Sequence, residues 1–174
     1  MSEPQWLSPS ELRAWRGFVD MSNMVRRRVS QQLQRECGLS DADYEILVRL
    51  SEAPGGSMRA IELASATEWE KSRLSHQIRR MTERGLVTKG TCNNIRHSHV
   101  ELSPQGRAAI EAAAPQHVAH VRTDFIDALT PEQINAFANI AETIINHLGP
   151  ANLECDSAEQ NCNTPDREFD PPNP

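Results

Sequence analysis

The feature that most constrains the fold is a helical pattern over residues 69–81, with one apolar side and one cationic side. Leu74, Ile78 and Met81 repeat at spacings of four and three, as on a helix with a buried stripe. Side chains of this kind on the remaining surface neutralise phosphates and read base edges in the major groove of DNA. They are Lys71, Ser72, Arg73, Ser75, His76, Gln77, Arg79 and Arg80.

Taken alone, this pattern is also that of a solvated surface helix, but the elements before it favour a helix-turn-helix. Ser57 caps a short helix from Met58 to Ser65, and residues 66–68 form a turn into the cationic helix. Gly85 ends that second helix after a basic last turn. The second helix of a helix-turn-helix enters the major groove, so this order of elements favours DNA binding.

A β-hairpin is predicted directly after the cationic helix. Residues 86–89 and 97–102 have the pattern of strands, and residues 91–94 between them are typical of a turn. The hairpin tip carries Asn94 and Arg96. We expect the tip to reach the minor groove or the flanking backbone, where Arg is favoured electrostatically. The hairpin is therefore predicted to be a DNA-binding wing.

Capping residues delimit two helices before this region. Ser8 begins a long helix that ends near Cys37, with Gly38 supplying the stop. Ser40 caps a second helix, whose inward side includes Tyr44. The run at residues 26–28 is interpreted as a solvated face, with a phosphate contact as the alternative.

Two further helices are predicted after the hairpin. The first runs from about Gly106 through Ala114, and Pro115 is expected to kink or break it. Thr130 caps the last helix, which Gly149 and Pro150 end. An apolar stripe in this last helix is either an intramolecular core or, given its density at a chain end, a dimer interface; it comprises Ile134, Phe137, Ile140, Ile144, Ile145 and Leu148.

The net charge hides a strong local asymmetry. The chain carries a formal charge of −6, but residues 151–174 hold six acids against one Arg and account for −5 of it. Residues 71–96 hold seven Lys and Arg against the single acid Glu83. The local patch decides DNA affinity, so the global charge does not argue against binding. The acidic tail almost lacks apolar residues and is expected to be disordered.

Other function classes find little support in the sequence. No nucleophile–base pair, Gly-rich phosphate loop or metal-ligand spacing is visible, so we expect neither an enzyme nor a metal or cofactor protein. The four scattered cysteines are expected to be reduced thiols, with a redox-sensing role for Cys37 or Cys92 kept as an alternative. Neither a signal peptide nor an apolar run of membrane length is present, so a cytoplasmic protein without membrane contact is expected.

Over about residues 8–148 the chain resembles the MarR family of bacterial winged-helix transcriptional regulators. The resemblance is carried by WEKSRLSHQ at 69–77, Arg80-Met81, RGLV at 84–87 and LSPQG at 102–106. It departs from the family at the wing tip, where Asn94-Ile95-Arg96 replaces an Asp-Arg-Arg pattern.

This resemblance implies a mainly α fold with a small β-hairpin wing, built as a winged helix-turn-helix with N- and C-terminal dimerisation helices. The expected regions are an arm and dimerisation helix at 1–37, the DNA-binding region at 38–104, dimerisation helices at 105–149 and the acidic tail at 150–174. The implied function is that of a homodimeric regulator, expected to be a repressor, that binds a palindromic operator in double-stranded DNA. A small, often aromatic and anionic, ligand is expected to release it.

Individual side chains receive different roles. Arg73 and Gln77 lie one turn apart and are expected to read bases, whereas Ser72, Ser75 and Arg80 suit phosphates and His76 suits either. A ligand site is predicted where family pockets form, with core packing and a surface Arg as the alternative. Its residues are Trp15, Arg16, Phe18, Met21 and Tyr44.

Overall fold

The computed structural model of the chain describes residues 5–91 and 98–149. The first helix, α1, spans Pro9–Gln32 and continues as a π-helical turn, Leu33–Cys37. Ser8 and Glu11 form the capping box at its start, and Gly38 ends it with a left-handed φ of 63°. The predicted boundaries of this helix are therefore confirmed.

Three helices form the centre of the molecule. Helix α2 spans Asp41–Glu52 and begins at the predicted cap, Ser40. Helices α3, Ala60–Thr67, and α4, Lys71–Glu83, form the helix-turn-helix. Glu68 has a φ of 54°, which among the described residues makes it the one non-glycine residue with positive φ, and the chain turns there between the two helices.

The sheet has three antiparallel strands in the order β1-β3-β2, where two were predicted. Strands β2, Val87–Thr91, and β3, Ser98–Leu102, form the wing. The additional strand, β1, spans Ser57–Arg59 and pairs with β3, with Met58 opposite Val100. The prediction of helix from Met58 is wrong because pairing with a distant strand holds these residues extended.

Helix α5 spans Pro104–Asp124, a short 3₁₀ turn follows at Ile126–Ala128, and α6 spans Pro131–Leu148. The predicted cap of α6, Thr130, is confirmed. Of the kink or break predicted at Pro115, the break is wrong, because α5 continues through this residue.

The hydrophobic core lies within the central region. Side chains from α2, α3 and α4 are completely buried in it, among them Ile46, Leu47, Leu50, Leu63 and Met81. Strand β3 contributes Val100 to the same core. The core fixes α4 by its apolar stripe and so turns the opposite side of this helix to solvent. In the ranges 5–91 and 98–149, no helix is both long and apolar enough to cross a membrane.

Candidate nucleic-acid interface

Helix α4 presents a continuous exposed arc of polar and cationic side chains. Leu74, Ile78 and Met81 are buried against the core, as the sequence predicted. At 100° per residue, the positions farthest from this buried stripe are those of Ser72, His76, Arg79 and Arg80, with Lys71, Arg73 and Ser75 at the edges. All seven of these side chains are exposed. We call these seven residues the α4 arc.

Gln77 is the one predicted DNA-contacting residue of α4 that does not belong to this arc. Its side chain is only 8% exposed, and its Nε2 donates a hydrogen bond of 2.8 Å to Oδ1 of Asp43. The amide that would read a base is thus committed to a buried partner. This geometry does not support a base contact by Gln77, and the predicted contact is not tested further by the structure.

Asp43 and Arg84 are functional candidates that sequence reasoning missed. The Asp43 carboxylate is 2% exposed, and its Oδ2 accepts a hydrogen bond of 2.7 Å from the Arg84 guanidinium. Burial alone would raise the pKa of Asp43, but hydrogen bonds from Ser40 and Arg84 outweigh it and lower that pKa. A signal existed in the sequence: Asp43 shares the helical face of Ile46 and Leu50, where an acid requires a partner.

Arg73 lies over the ring of Trp69 at the start of α4. The guanidinium carbon is 4.1 Å from the ring centroid, which is cation–π geometry. Trp69 itself is buried, so the stacked ring holds the Arg73 side chain at the edge of the α4 arc. This contact limits the rotamers of Arg73 and preorganises its charge.

The wing can be placed only in part. Strands β2 and β3 hold Lys89 and Val100 in register beside the core. The predicted DNA contacts Asn94 and Arg96, and the alternative redox residue Cys92, lie outside the described residues, as does the predicted acidic tail.

A cavity of about 510 Å³ lies between α1, α2, α5 and the start of α4. Tyr44 and His117 face each other in it with ring centroids 4.5 Å apart, and Trp69, Arg73 and Arg26 also line it. Burial raises the pKa of Tyr44 and lowers that of His117, so both groups are kept neutral near pH 7. The cavity thus has aromatic walls, and its charged lining comprises two arginines together with the acids Asp41 and Glu45.

Of the predicted ligand residues, Tyr44 alone lines this cavity. Trp15 and Phe18 are exposed on α1 with ring centroids 6.0 Å apart, next to Arg16, which is also exposed, and Met21, which is half-buried. Trp15 precedes the cavity-lining Val29 by fourteen helical residues, or about 20 Å. The structure therefore does not bring the five predicted residues into one site within the chain.

The Cys37 thiol is half-buried at the end of the π-helical turn and lies 3.5 Å from Oε1 of Gln116. Burial, with a smaller contribution from Glu36, raises the pKa of this thiol and so lowers its thiolate fraction. This environment disfavours a redox-sensing role. In the part of the chain that the structure describes, no three His, Cys, Asp or Glu side chains are grouped to hold a metal.

Comparison with solved structures relates this geometry to known proteins, although no family model matches the chain. AbsC, a MarR family transcriptional regulator from Streptomyces coelicolor, is 40% identical, with a TM-score of 0.79 over 83% of this chain and 98% of AbsC.

Two further structures share the fold. Sco3205, a MarR family regulator from the same organism solved in complex with DNA, is 32% identical, with a TM-score of 0.80 over 87% of this chain and 95% of its own. CouR from Rhodococcus jostii RHA1, solved with p-coumaroyl-CoA, is 19% identical (TM-score 0.61; 73% of this chain, 87% of CouR) and shows the fold alone. The resemblance inferred from the sequence is confirmed, and the chain belongs to the MarR family of DNA-binding transcriptional regulators.

Proposed function

We propose that this chain is a homodimeric, sequence-specific repressor that binds a palindromic operator with its α4 arc. The observation that carries the proposal is the exposure of seven polar and cationic α4 side chains on the side opposite the core. Core packing does not require this arrangement, whereas a groove lined by phosphates and base edges does.

Within the α4 arc, position suggests the role of each side chain. Ser72 and His76 lie near the centre of the arc and are proposed to face base edges. Arg79 pairs with Glu83 at 3.8 Å, but both side chains are exposed, so the pair is weak and leaves the guanidinium free for a phosphate. Arg73 and Arg80 lie on one flank of the arc and are proposed to contact the DNA backbone.

The terminal helices support the dimer. Helix α6 exposes five large apolar side chains, including Ile144 at 49% and Leu148 at 74%, and α1 exposes Trp15 and Phe18. Large apolar side chains that are exposed along one side of a helix mark an interaction site in a folded protein. A second copy of the chain would cover it and would present two α4 helices with twofold symmetry, as a palindrome requires.

The cavity beside α4 is proposed to bind an aromatic anion that releases the DNA. Tyr44, Trp69 and His117 offer ring surfaces, and Arg26 and Arg73 offer positive charge. Arg73 also belongs to the α4 arc, so an anion that attracts it competes directly with DNA. CouR, which shares the fold, was solved with an aromatic CoA thioester.

DNA binding is tested by selecting sequences from a random duplex pool with the wild-type protein and then measuring affinity for the selected site. Arg79→Ala is expected to weaken binding about 10-fold and to reduce the salt slope by about 1. The control Arg122→Ala, on α5, removes the same charge from an exposed pair with Asp127 and should change affinity less than about 2-fold. Failure to enrich any sequence contradicts the proposal.

Ligand release is tested with 4-hydroxycinnamate and its uncharged amide. The carboxylate should dissociate the selected duplex and the amide should not, because only the anion competes for Arg73. Arg26→Gln, compared with wild type at equal operator occupancy, should require more carboxylate for the same release. Equal potency of the two compounds would contradict the proposed role of charge.

A further inference from the structure

The buried carboxylate of Asp43 is the centre of a polar cluster that joins three parts of the fold. Its Oδ1 accepts from Gln77 Nε2 at 2.8 Å, and its Oδ2 accepts from the Arg84 guanidinium at 2.7 Å. Ser40 completes the set by donating to Oδ2 from its hydroxyl at 2.8 Å and its backbone N–H at 2.9 Å. We call Asp43, Gln77, Arg84 and Ser40 the Asp43 cluster.

The Asp43 cluster is fully satisfied, and this matters because the carboxylate is almost inaccessible. An ionised carboxylate in such a place costs several kcal/mol unless charge-assisted hydrogen bonds compensate for lost water. Removing one partner therefore leaves buried polar groups without a hydrogen bond. Each of these bonds strongly restrains the position of the helix or turn that supplies its donor. The packing of α4 by apolar contacts alone would allow small rotations that these directional bonds forbid.

The cluster holds α4 at two separate points. Gln77 lies in the middle of this helix and Arg84 is its C-cap, seven residues or about 10 Å further along the axis. Two directional attachments on one side fix both the rotation of the helix and its tilt. A rotation of about 20° would move side-chain tips at the helix surface, about 5–6 Å from the axis, by about 2 Å, enough to break hydrogen bonds to bases.

Arg84 extends the connection to the end of the N-terminal helix. Its second amino group donates to the carbonyl of Gly38 at 2.8 Å, at the residue that terminates the π-helical turn after α1. One guanidinium thus ties the start of α2, the end of α4 and the end of the helix proposed to carry the dimer contacts.

We infer that Asp43 is a positioning residue for DNA recognition: it sets the rotation of α4 through Gln77 and Arg84, and Gln77 acts through Asp43 instead of touching a base. This inference rests on the proposed DNA binding by the α4 arc. It assigns base reading to the exposed side chains and gives Gln77 no part in choosing a base.

The first test is Gln77→Ala, measured on the selected duplex and on its set of single base-pair variants. We expect affinity to fall about 10-fold for every duplex, with the pattern of base preferences and the salt slope unchanged, because a positioning residue affects all contacts alike. The matched comparison is His76→Ala, an exposed neighbour in the α4 arc, which should flatten preference at particular positions. Loss of preference at one base pair in Gln77→Ala would overturn the inference, since that is the signature of a base contact.

The second test exchanges the amide and the carboxylate. Gln77→Glu places two carboxylates together and should weaken DNA binding about 100-fold or more. Adding Asp43→Asn restores one donor facing one acceptor, because the Asn oxygen can accept from Arg84 and Ser40 while its amide donates to Glu. The double variant should return to within about 3-fold of Asp43→Asn alone.

The exchange separates two explanations for weak binding by Gln77→Glu: repulsion between the new carboxylate and Asp43, and repulsion between the new carboxylate and the DNA phosphates. If the new charge acted by repelling phosphates, a change at buried Asp43 would not restore binding, and the inference would fail. Circular dichroism and thermal unfolding of every variant check the fold, and the Gln77→Ala base profile decides if the double variant does not fold. Wild-type protein that selects no duplex would instead reject the proposed DNA binding itself.

Discussion

The central region and the terminal helices of this molecule bury apolar side chains to very different extents. Side chains from α2, α3, α4 and the sheet fill one core, in which Leu47 and Leu63 have no exposed surface. In α1 and α6, by contrast, no residue of either helix is buried, and α6 turns Ile140, Ile144 and Ile145 to solvent.

This difference indicates that the two regions obtain their stability from different sources. The central core is complete within one chain, so its folding is an intramolecular event. The terminal helices also have apolar stripes, but the part of the chain that the structure describes does not bury them. Helices are stabilised mostly by the packing of such a stripe. Their stability is therefore expected to depend on a second molecule and on protein concentration.

The largest effect is expected from a charge in the apolar stripe of α6. Ile144→Asp places a carboxylate on this stripe in both copies of a dimer and should weaken dimerisation about 1000-fold, as an unpaired buried charge would. Sedimentation equilibrium measures the dissociation constant. Asn139→Asp adds the same charge on the opposite side of α6 and should leave it unchanged. A dissociation constant that Ile144→Asp leaves unchanged would show that α6 does not belong to the dimer interface.

A truncation in the central core should lower the stability of the single chain by an amount that does not depend on dimerisation. Leu47→Ala is expected to lower the free energy of unfolding by about 3 kcal/mol because it leaves a cavity in a completely buried site. The loss, measured by urea denaturation, should be the same in wild type and in an Ile144→Asp background. A loss that depended on the dimer would show that the core is not independent of the terminal helices.

Two helical glycines sharpen the contrast further. A Cβ on Gly106 of α5 would lie 2.0 Å from the Leu86 carbonyl oxygen, so Gly106→Ala should destabilise by about 2 kcal/mol despite the better helix propensity of Ala. A Cβ on Gly17 of α1 meets no described atom within 4 Å, so Gly17→Ala should stabilise by about 0.5–1 kcal/mol. Urea denaturation at one fixed protein concentration measures both. A destabilising Gly17→Ala would indicate that the dimer packs closely there.

Features of this fold that depend on local chemistry could be predicted from the sequence. Ser8, Ser40 and Thr130 each cap a helix through a side chain that bonds to a residue three positions later. The buried stripe of α4 follows from the helical repeat of its apolar residues. These signals need no knowledge of distant residues. The family resemblance supplied the rest of the architecture.

Features that depend on long-range pairing could not be predicted in the same way. Strand β1 forms because it pairs with β3, where Met58 lies opposite Val100. A strand of three residues is too short to show the apolar–polar alternation by which strands are predicted. The buried contact of Gln77 was not predicted because its partner, Asp43, belongs to another helix. The helical period does place Gln77 beside the buried stripe, but only the structure shows which polar group meets it there.

The smallest expected effect lies at His117, at the contact between α5 and the central region. This residue of α5 packs on Tyr44 of α2, and burial lowers its pKa although the charge of Asp41 partly opposes that shift. A lowered folded-state pKa means that the unfolded chain binds the proton more readily below about pH 6.5. The stability contributed by neutral His117 is therefore complete above that pH and is lost as the pH falls through the folded-state pKa.

Urea denaturation of wild type and His117→Gln between about pH 7.5 and 5.5 measures this loss. Wild type should lose more unfolding free energy over this pH range than the variant. The difference between the two losses should be smaller than the effect of any substitution described above. His76→Gln, at an exposed site, should follow the wild-type curve. Parallel curves for wild type and His117→Gln would mean that the imidazole is not desolvated between α2 and α5, and that water reaches the contact between these two helices.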